Sequence, residues 1–177
     1  VQQGGSLAGS FAGTLAGTFT NAGQVTLTGS AVQVDAAATL TNPGRWTMQG
    51  GSLTLGAGAV LSNSGQLSLL GGADMVVGSG ARLDNTGQLR VGPGATLLHA
   101  AGADDLQLLA GRIDIDHGGT LEMSAATRLS TGNAARISNS GTIRSESTGI
   151  YLYNSDSFAG GIFNSGLIES HSGYGIE

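Results

Sequence analysis

The chain has 177 residues, 32 of them Gly, with 40% hydrophobic, 11% charged and 5% aromatic residues. It carries no Cys, which excludes a disulfide framework and a thiolate metal site. Its seven basic residues are all Arg against 12 acidic ones, a net charge of −5 that leaves no basic stripe for nucleic acid.

So much Gly is compatible with a disordered linker, but the hydrophobic residues alternate, and alternation predicts strands. Residues 5–20 repeat every four residues: Gly-Ser-Leu-Ala, Gly-Ser-Phe-Ala, Gly-Thr-Leu-Ala, Gly-Thr-Phe-Thr. Four is a multiple of the strand period of two, so Leu7, Phe11, Leu15 and Phe19 share one face. At ~3.3 Å per residue this stretch is too long for one strand and is predicted to wrap most of a coil.

From Phe19 onward one phrase returns: an apolar residue, a small polar one, Asn-x-Gly, then an alternating strand. It runs Phe19-Thr20-Asn21-Ala22-Gly23-Gln24-Val25, then Leu40-Thr41-Asn42-Pro43-Gly44-Arg45-Trp46, Leu61-Ser62-Asn63-Ser64-Gly65-Gln66-Leu67 and Leu83-Asp84-Asn85-Thr86-Gly87-Gln88-Leu89. The late copies are Ile137-Ser138-Asn139-Ser140-Gly141-Thr142-Ile143 and Ile162-Phe163-Asn164-Ser165-Gly166-Leu167-Ile168. Asn21, Asn42, Asn63 and Asn85 are spaced by 21, 21 and 22 residues, and Asn139 and Asn164 by 25. A fixed turn at a period near 21 predicts a solenoid. The fold class expected is all-β, a parallel β-helix of about 21–25 residues and three short strands per coil. No window shows the i, i+3, i+4, i+7 spacing of a helix.

If equivalent positions stack, the first inward column holds Val25, Trp46, Leu67, Leu89, Ile113, Ile143 and Ile168. A second strand per coil supplies Val32/Val34, Leu53/Leu55, Met75/Val77 and Leu121/Met123, and a third passes through Leu40, Leu61 and Leu83. Trp46 is expected in the core. Asn21, Asn42, Asn63, Asn85, Asn139 and Asn164 are expected to form a structural ladder. Asn tolerates left-handed backbone, and stacked amides donate to one another. Residues 92–136 look less regular: Gly111 to Gly141 is 30 residues, Arg112-Ile113-Asp114-Ile115 lacks its Asn, and Gly102–Asp105 and Ser130–Asn133 read as bulging loops.

These phrases resemble the passenger domains of Gram-negative autotransporter adhesins of the pertactin type, and the exoproteins of the filamentous-haemagglutinin type. The likeness rests on the two late Asn-Ser-Gly phrases and on the pairs Gly149-Ile150 and Gly175-Ile176. It implies a right-handed coil, export to the bacterial cell surface or beyond, anchoring through a translocator domain outside this chain, and roles in adhesion, self-association or biofilm. With no bilayer-spanning apolar run, no signal peptide, and a pattern already running at Val1 and still running at Glu177, residues 1–177 are expected to be one β-helix segment of a larger exported protein.

No catalytic residue, cofactor or metal site is predicted. Arg112-x-Asp114-x-Asp116 is the best candidate for carboxylate chemistry on polysaccharides. Its bland reading is a solvated ion pair, Arg90 with Asp114, matched by Arg144 with Glu169. A calcium site among Asp104, Asp105, Asp114 and Asp116 lacks the Gly-Gly-x-Gly-x-Asp repeat. His99, His117 and His171 show no zinc spacing and are expected at the surface or at corners. Tyr151 and Tyr153 alternate with Ile150 and Leu152, so two rings either stand outside as a contact surface or lie beneath a loop over 154–160 with Phe158. The expected function is a rigid, non-catalytic display rod. Its partners would be a host surface protein or glycan, or another copy on a neighbouring cell. The alternatives are a polysaccharide lyase or hydrolase, and a stalk for a toxin or protease domain outside this segment.

Overall fold

A computed structural model describes residues 1–108, 110–124, 129–132, 134–147, 150–152, 160–173 and 175–176. Among these every pairing is parallel and no helix occurs. The strands stack as a parallel β-helix, with seven strands in the third ladder. The first ladder runs in the row Ser6, Gln24, Arg45, Gln66, Gln88, Arg112, Arg136 and Gly161. Successive members are thus 18, 21, 21, 22, 24, 24 and 25 residues apart. At ~4.8 Å between neighbouring strands, seven turns make a rod of roughly 34 Å.

Each coil has three strands. In two coils the first and second run on as single strands, Gln24–Val34 and Arg45–Leu55. They bend at Gly29, Gly50 and Gly51, whose φ values are 55°, 71° and 79°. From Gln66–Leu70 onward the two strands separate. The tetrad repeat forms one coil from Ser6–Gly9, Ala12–Leu15 and Thr18–Thr20. Leu7, Leu15 and Phe19 lie in register with Val25, Val34 and Leu40. Phe11 departs from the expected shared face. It sits at the corner, where its N–H is bonded to Ser30 Oγ at 3.0 Å, because the chain turns between the first two strands.

The core is the interior of the coil, filled by columns of like residues. Trp46 is 2% exposed and meets Phe19 edge-on at 6.0 Å between ring centroids. Such stacking is what allows a coil that cannot bury its inner face alone to be stable with its neighbours. Each aliphatic so buried contributes roughly 1.5–3 kcal/mol.

Register corrects the expected columns in the last third of the chain. Arg112–Ile115 pairs with Arg136–Asn139, placing Ile137 and then Ile162 above Ile113. Ile143 and Ile168 belong to the second strand, above Leu121. The 30-residue gap is therefore no insertion. The coils are regular, and the Asn-x-Gly phrase has moved forward by one corner. Gly102–Asp105 forms an ordinary corner: Ala103 N–H bonds Ala100 O and Asp104 N–H bonds Ala81 O. Ser130 and Thr131 lie in the strand Leu129–Thr131 rather than in a loop, while Asn133 lies outside the described residues. Of the pairs Gly149-Ile150 and Gly175-Ile176, Ile150 and Ile176 stack through a parallel bridge, while Gly149 lies outside the described residues.

Candidate functional site

The asparagines form two ladders, not one. Asn21 Nδ2 donates to Asn42 Oδ1 at 2.8 Å, Asn42 to Asn63 at 2.7 Å and Asn63 to Asn85 at 2.6 Å. Each of these amides also donates to a backbone carbonyl of the next coil, Arg45, Gln66 and Gln88 in turn. This ladder fills the corner between third and first strands. Above Asn85 the position passes to Leu108. Asn139 donates to Asn164 at 2.8 Å in a second ladder, at the corner between first and second strands. Asn139 stacks there on Ile115. None of the described asparagines takes the left-handed backbone that their side chains tolerate; Ala37 is the sole non-Gly residue with positive φ among the described residues.

The ladder is structural: Asn42, Asn63 and Asn85 are at most 1% exposed. Asn63→Ala takes one of the two acceptors from the Asn42 amide and the Asn63 donor from Asn85 Oδ1 and the Gln88 carbonyl. An unsatisfied buried group costs about 1–3 kcal/mol, so a loss of roughly 2–3 kcal/mol is expected in urea unfolding. Asn164, which is exposed at the end of its ladder, serves as the comparison: Asn164→Ala should lose less than half as much.

The outer surface carries the groups available for chemistry. Arg90 is in register with Asp114, as the sequence suggests, but its ion pair goes to Asp116 at 2.7 Å. Asp114 is already engaged. It accepts from Arg112 Nε on its own strand and from Gln88 Nε2 at 3.0 Å, and it is 7% exposed. Arg144 pairs with Glu169 as expected. Asp105 accepts from Ser130 Oγ at 3.1 Å on the third face. It therefore does not converge with Asp114 and Asp116 on a common cation.

Arg90, Arg112, Asp114 and Asp116 line a shallow groove of about 650 Å³ over the first face. The groove continues across Ser138 and Asn139 to Phe163 and Asn164. Phe163 is 55% exposed. Its ring lies over Gly161, where a Cβ would come within 2.6 Å of a ring carbon. The Arg136 guanidinium sits 4.4 Å from the ring centroid, a favourable cation–π geometry. Glycine at 161 thus provides the space in which the ring lies down.

The sequence carries one signal for this site. Phe163 occupies the small polar slot of the repeated phrase, where other copies have Thr, Ser or Asp. Its nearness to Asp114 follows only from the register of Arg112–Ile115 on Arg136–Asn139.

Tyr151 lies in the strand Ile150–Leu152, in register with Ser130. Tyr153 and the segment 153–159 lie outside the described residues. His117 and His171 are exposed. His99 is not at a surface or corner. It is 0% exposed, on the inward face between Val77 and Met123. Neither ring nitrogen makes a hydrogen bond among the described residues. Burial pushes its imidazole down from 6.5 to about 4, and the nearby Asp104 backbone opposes this only in part. No protein-family model, curated protein or solved structure matches the chain.

Proposed function

We propose that this chain is a non-catalytic segment of a bacterial surface adhesin. It is a stiff rod that meets a host surface protein or glycan, or another copy on a neighbouring cell. The observation that carries this reading is the regular outer surface. Short hydroxyl residues stand in register down its faces, as in Thr20, Thr41 and Ser62 or Thr96, Thr120 and Thr142. A ladder of identical weak contacts is feeble singly and strong when multiplied along a rod. Export and anchoring would come from a translocator outside this segment, in line with the autotransporter resemblance. Displaying the segment on non-aggregating bacterial cells tests the reading. Faster settling, or attachment to coated surfaces, is expected. Cells that neither clump nor attach would sink it.

A polysaccharide-acting enzyme is the second reading, because two carboxylates and two arginines share one groove. Both carboxylates are engaged by arginines of this chain, which favours binding over turnover. Depolymerisation by the unaltered chain, lost in Asp116→Asn, would establish the enzyme instead.

A further inference from the structure

We infer that the groove over the first face binds a neutral oligosaccharide of a few sugar units. This deepens the adhesive reading and rests on its claim that the outer surface binds rather than reacts. At about 650 Å³ the groove is the size of a small-ligand site.

Its charges balance. Arg90 and Arg112 carry two positive charges, Asp114 and Asp116 two negative ones, and they lie within the same lining. Within the lining that balance gives little net attraction to a phosphate, a sulfate or a polyamine, and the Arg136 guanidinium beside it is turned onto the Phe163 ring. It does offer closely spaced donors and acceptors, and charged groups make the stronger hydrogen bonds to hydroxyls. The Arg90 pair uses Oδ2 of Asp116, and Oδ1 makes no bond among the described residues, so it is available to accept from a hydroxyl. Asp114, held by Gln88 and Arg112, is a fixed wall rather than a mobile acid.

The other requirement of a sugar is an apolar surface for its C–H faces. Phe163 supplies one at the end of the groove, more than half exposed and fixed against Arg136. A pre-positioned ring loses little freedom when a ligand arrives. An aromatic ring beside a row of polar groups is the composition that an amphipathic, hydroxyl-rich ligand needs.

The test uses the 177-residue chain and a panel of neutral hexose di- to tetrasaccharides with their uronate counterparts, read by saturation-transfer NMR and calorimetry. At least one neutral sugar should bind at millimolar concentration or tighter. Phe163→Ala and Asp116→Asn should each weaken it by about ten-fold or more. Phe163→Tyr should retain it, and Arg144→Ala, on the second face, should leave it unchanged. Circular dichroism on each variant separates lost binding from lost fold. Absence of binding by every sugar overturns the inference, as does binding that survives both Phe163→Ala and Asp116→Asn. Binding of uronates alone overturns the neutral class. Display on cells separates this from the adhesive reading. Cells that attach while the purified chain binds no sugar overturn the groove and leave adhesion standing. Sugar binding by the chain with inert cells supports the groove and overturns adhesion.

Discussion

Gly65→Ala is expected to destabilise the rod by about 3 kcal/mol, the upper end for forcing an extra carbon into a packed interior. A Cβ at Gly65 would sit 2.0 Å from Gly44 O and 2.5 Å from Pro43 O. Both atoms are backbone of the previous coil, so no side chain can swing aside. Gly44 O is also fixed, because it accepts the Gln66 N–H at 2.8 Å. Relief therefore requires separating two coils and losing inter-coil hydrogen bonds with them. The same approach recurs down the corner: Gly23, Gly44, Gly87 and Gly111 would each place a Cβ within 2.2–2.5 Å of a glycine carbonyl oxygen of the preceding coil. Gly65 does not have positive φ, so the demand is for space and not for a left-handed backbone. Ser64→Ala, one residue earlier and exposed, is the control and should stay within ~0.5 kcal/mol of the parent. Equal unfolding midpoints for Gly65→Ala and the parent in urea would refute the close-approach account.

His99→Leu is expected to stabilise the chain, and by more at low pH than at neutral pH. His99 takes a place that Val34, Leu55, Val77 and Met123 occupy in neighbouring coils. Its two buried nitrogens have lost water and make no well-formed hydrogen bond, with only the Asp104 backbone near enough to compensate in part, a penalty of about 1–3 kcal/mol that leucine removes. The pH effect follows from proton linkage. The folded chain holds the imidazole near 4, while the unfolded chain titrates near 6.5. Above pH 6.5 neither state binds the proton, and this residue adds no slope. Between pH 6.5 and 4 the unfolded state binds a proton that the folded state refuses, so stability falls as pH falls. Below 4 the loss levels off at about 3 kcal/mol, from roughly 1.4 kcal/mol per unit of pKa difference. Urea unfolding of parent and His99→Leu at a series of pH values reads this directly. Their stability difference should widen by about 3 kcal/mol from pH 7 to pH 4. Parallel profiles would show that His99 is not sealed in the core.

The two substitutions mark two kinds of information in the chain. The reason for Gly65 is nearly local. The Asn-x-Gly phrase repeats at a fixed period, and a repeat that stacks on itself brings one corner onto the next. The reason for His99 is not local. Period two puts His99 on the same face as Leu97, but the polarity of the imidazole argues for a surface position, and only the stack on Val77 and Met123 decides that the ring points inward. The groove behaves like His99. Asp114 and Phe163 are 49 residues apart in the sequence and become neighbours two coils apart on one face.

By itself the amino-acid sequence determined the architecture: alternation demanded strands, the returning phrase demanded coils, and both demanded parallel stacking with an aliphatic interior. It also determined the first Asn ladder and the burial of Trp46, since these follow from repetition at equal spacing. Tertiary structure alone decided which corner each later phrase occupies. The motif Asn-Ser-Gly suits any corner where two coils approach closely, so its presence does not say which corner it serves. The deciding quantity is the pairing of Arg112–Ile115 with Arg136–Asn139. That pairing is selected by burying Ile137 above Ile113 while Ile143 covers Leu121. It splits the asparagines into two ladders and places Phe163 at the end of the groove. Inter-coil hydrogen bonding and core filling act over distances that a single phrase cannot encode.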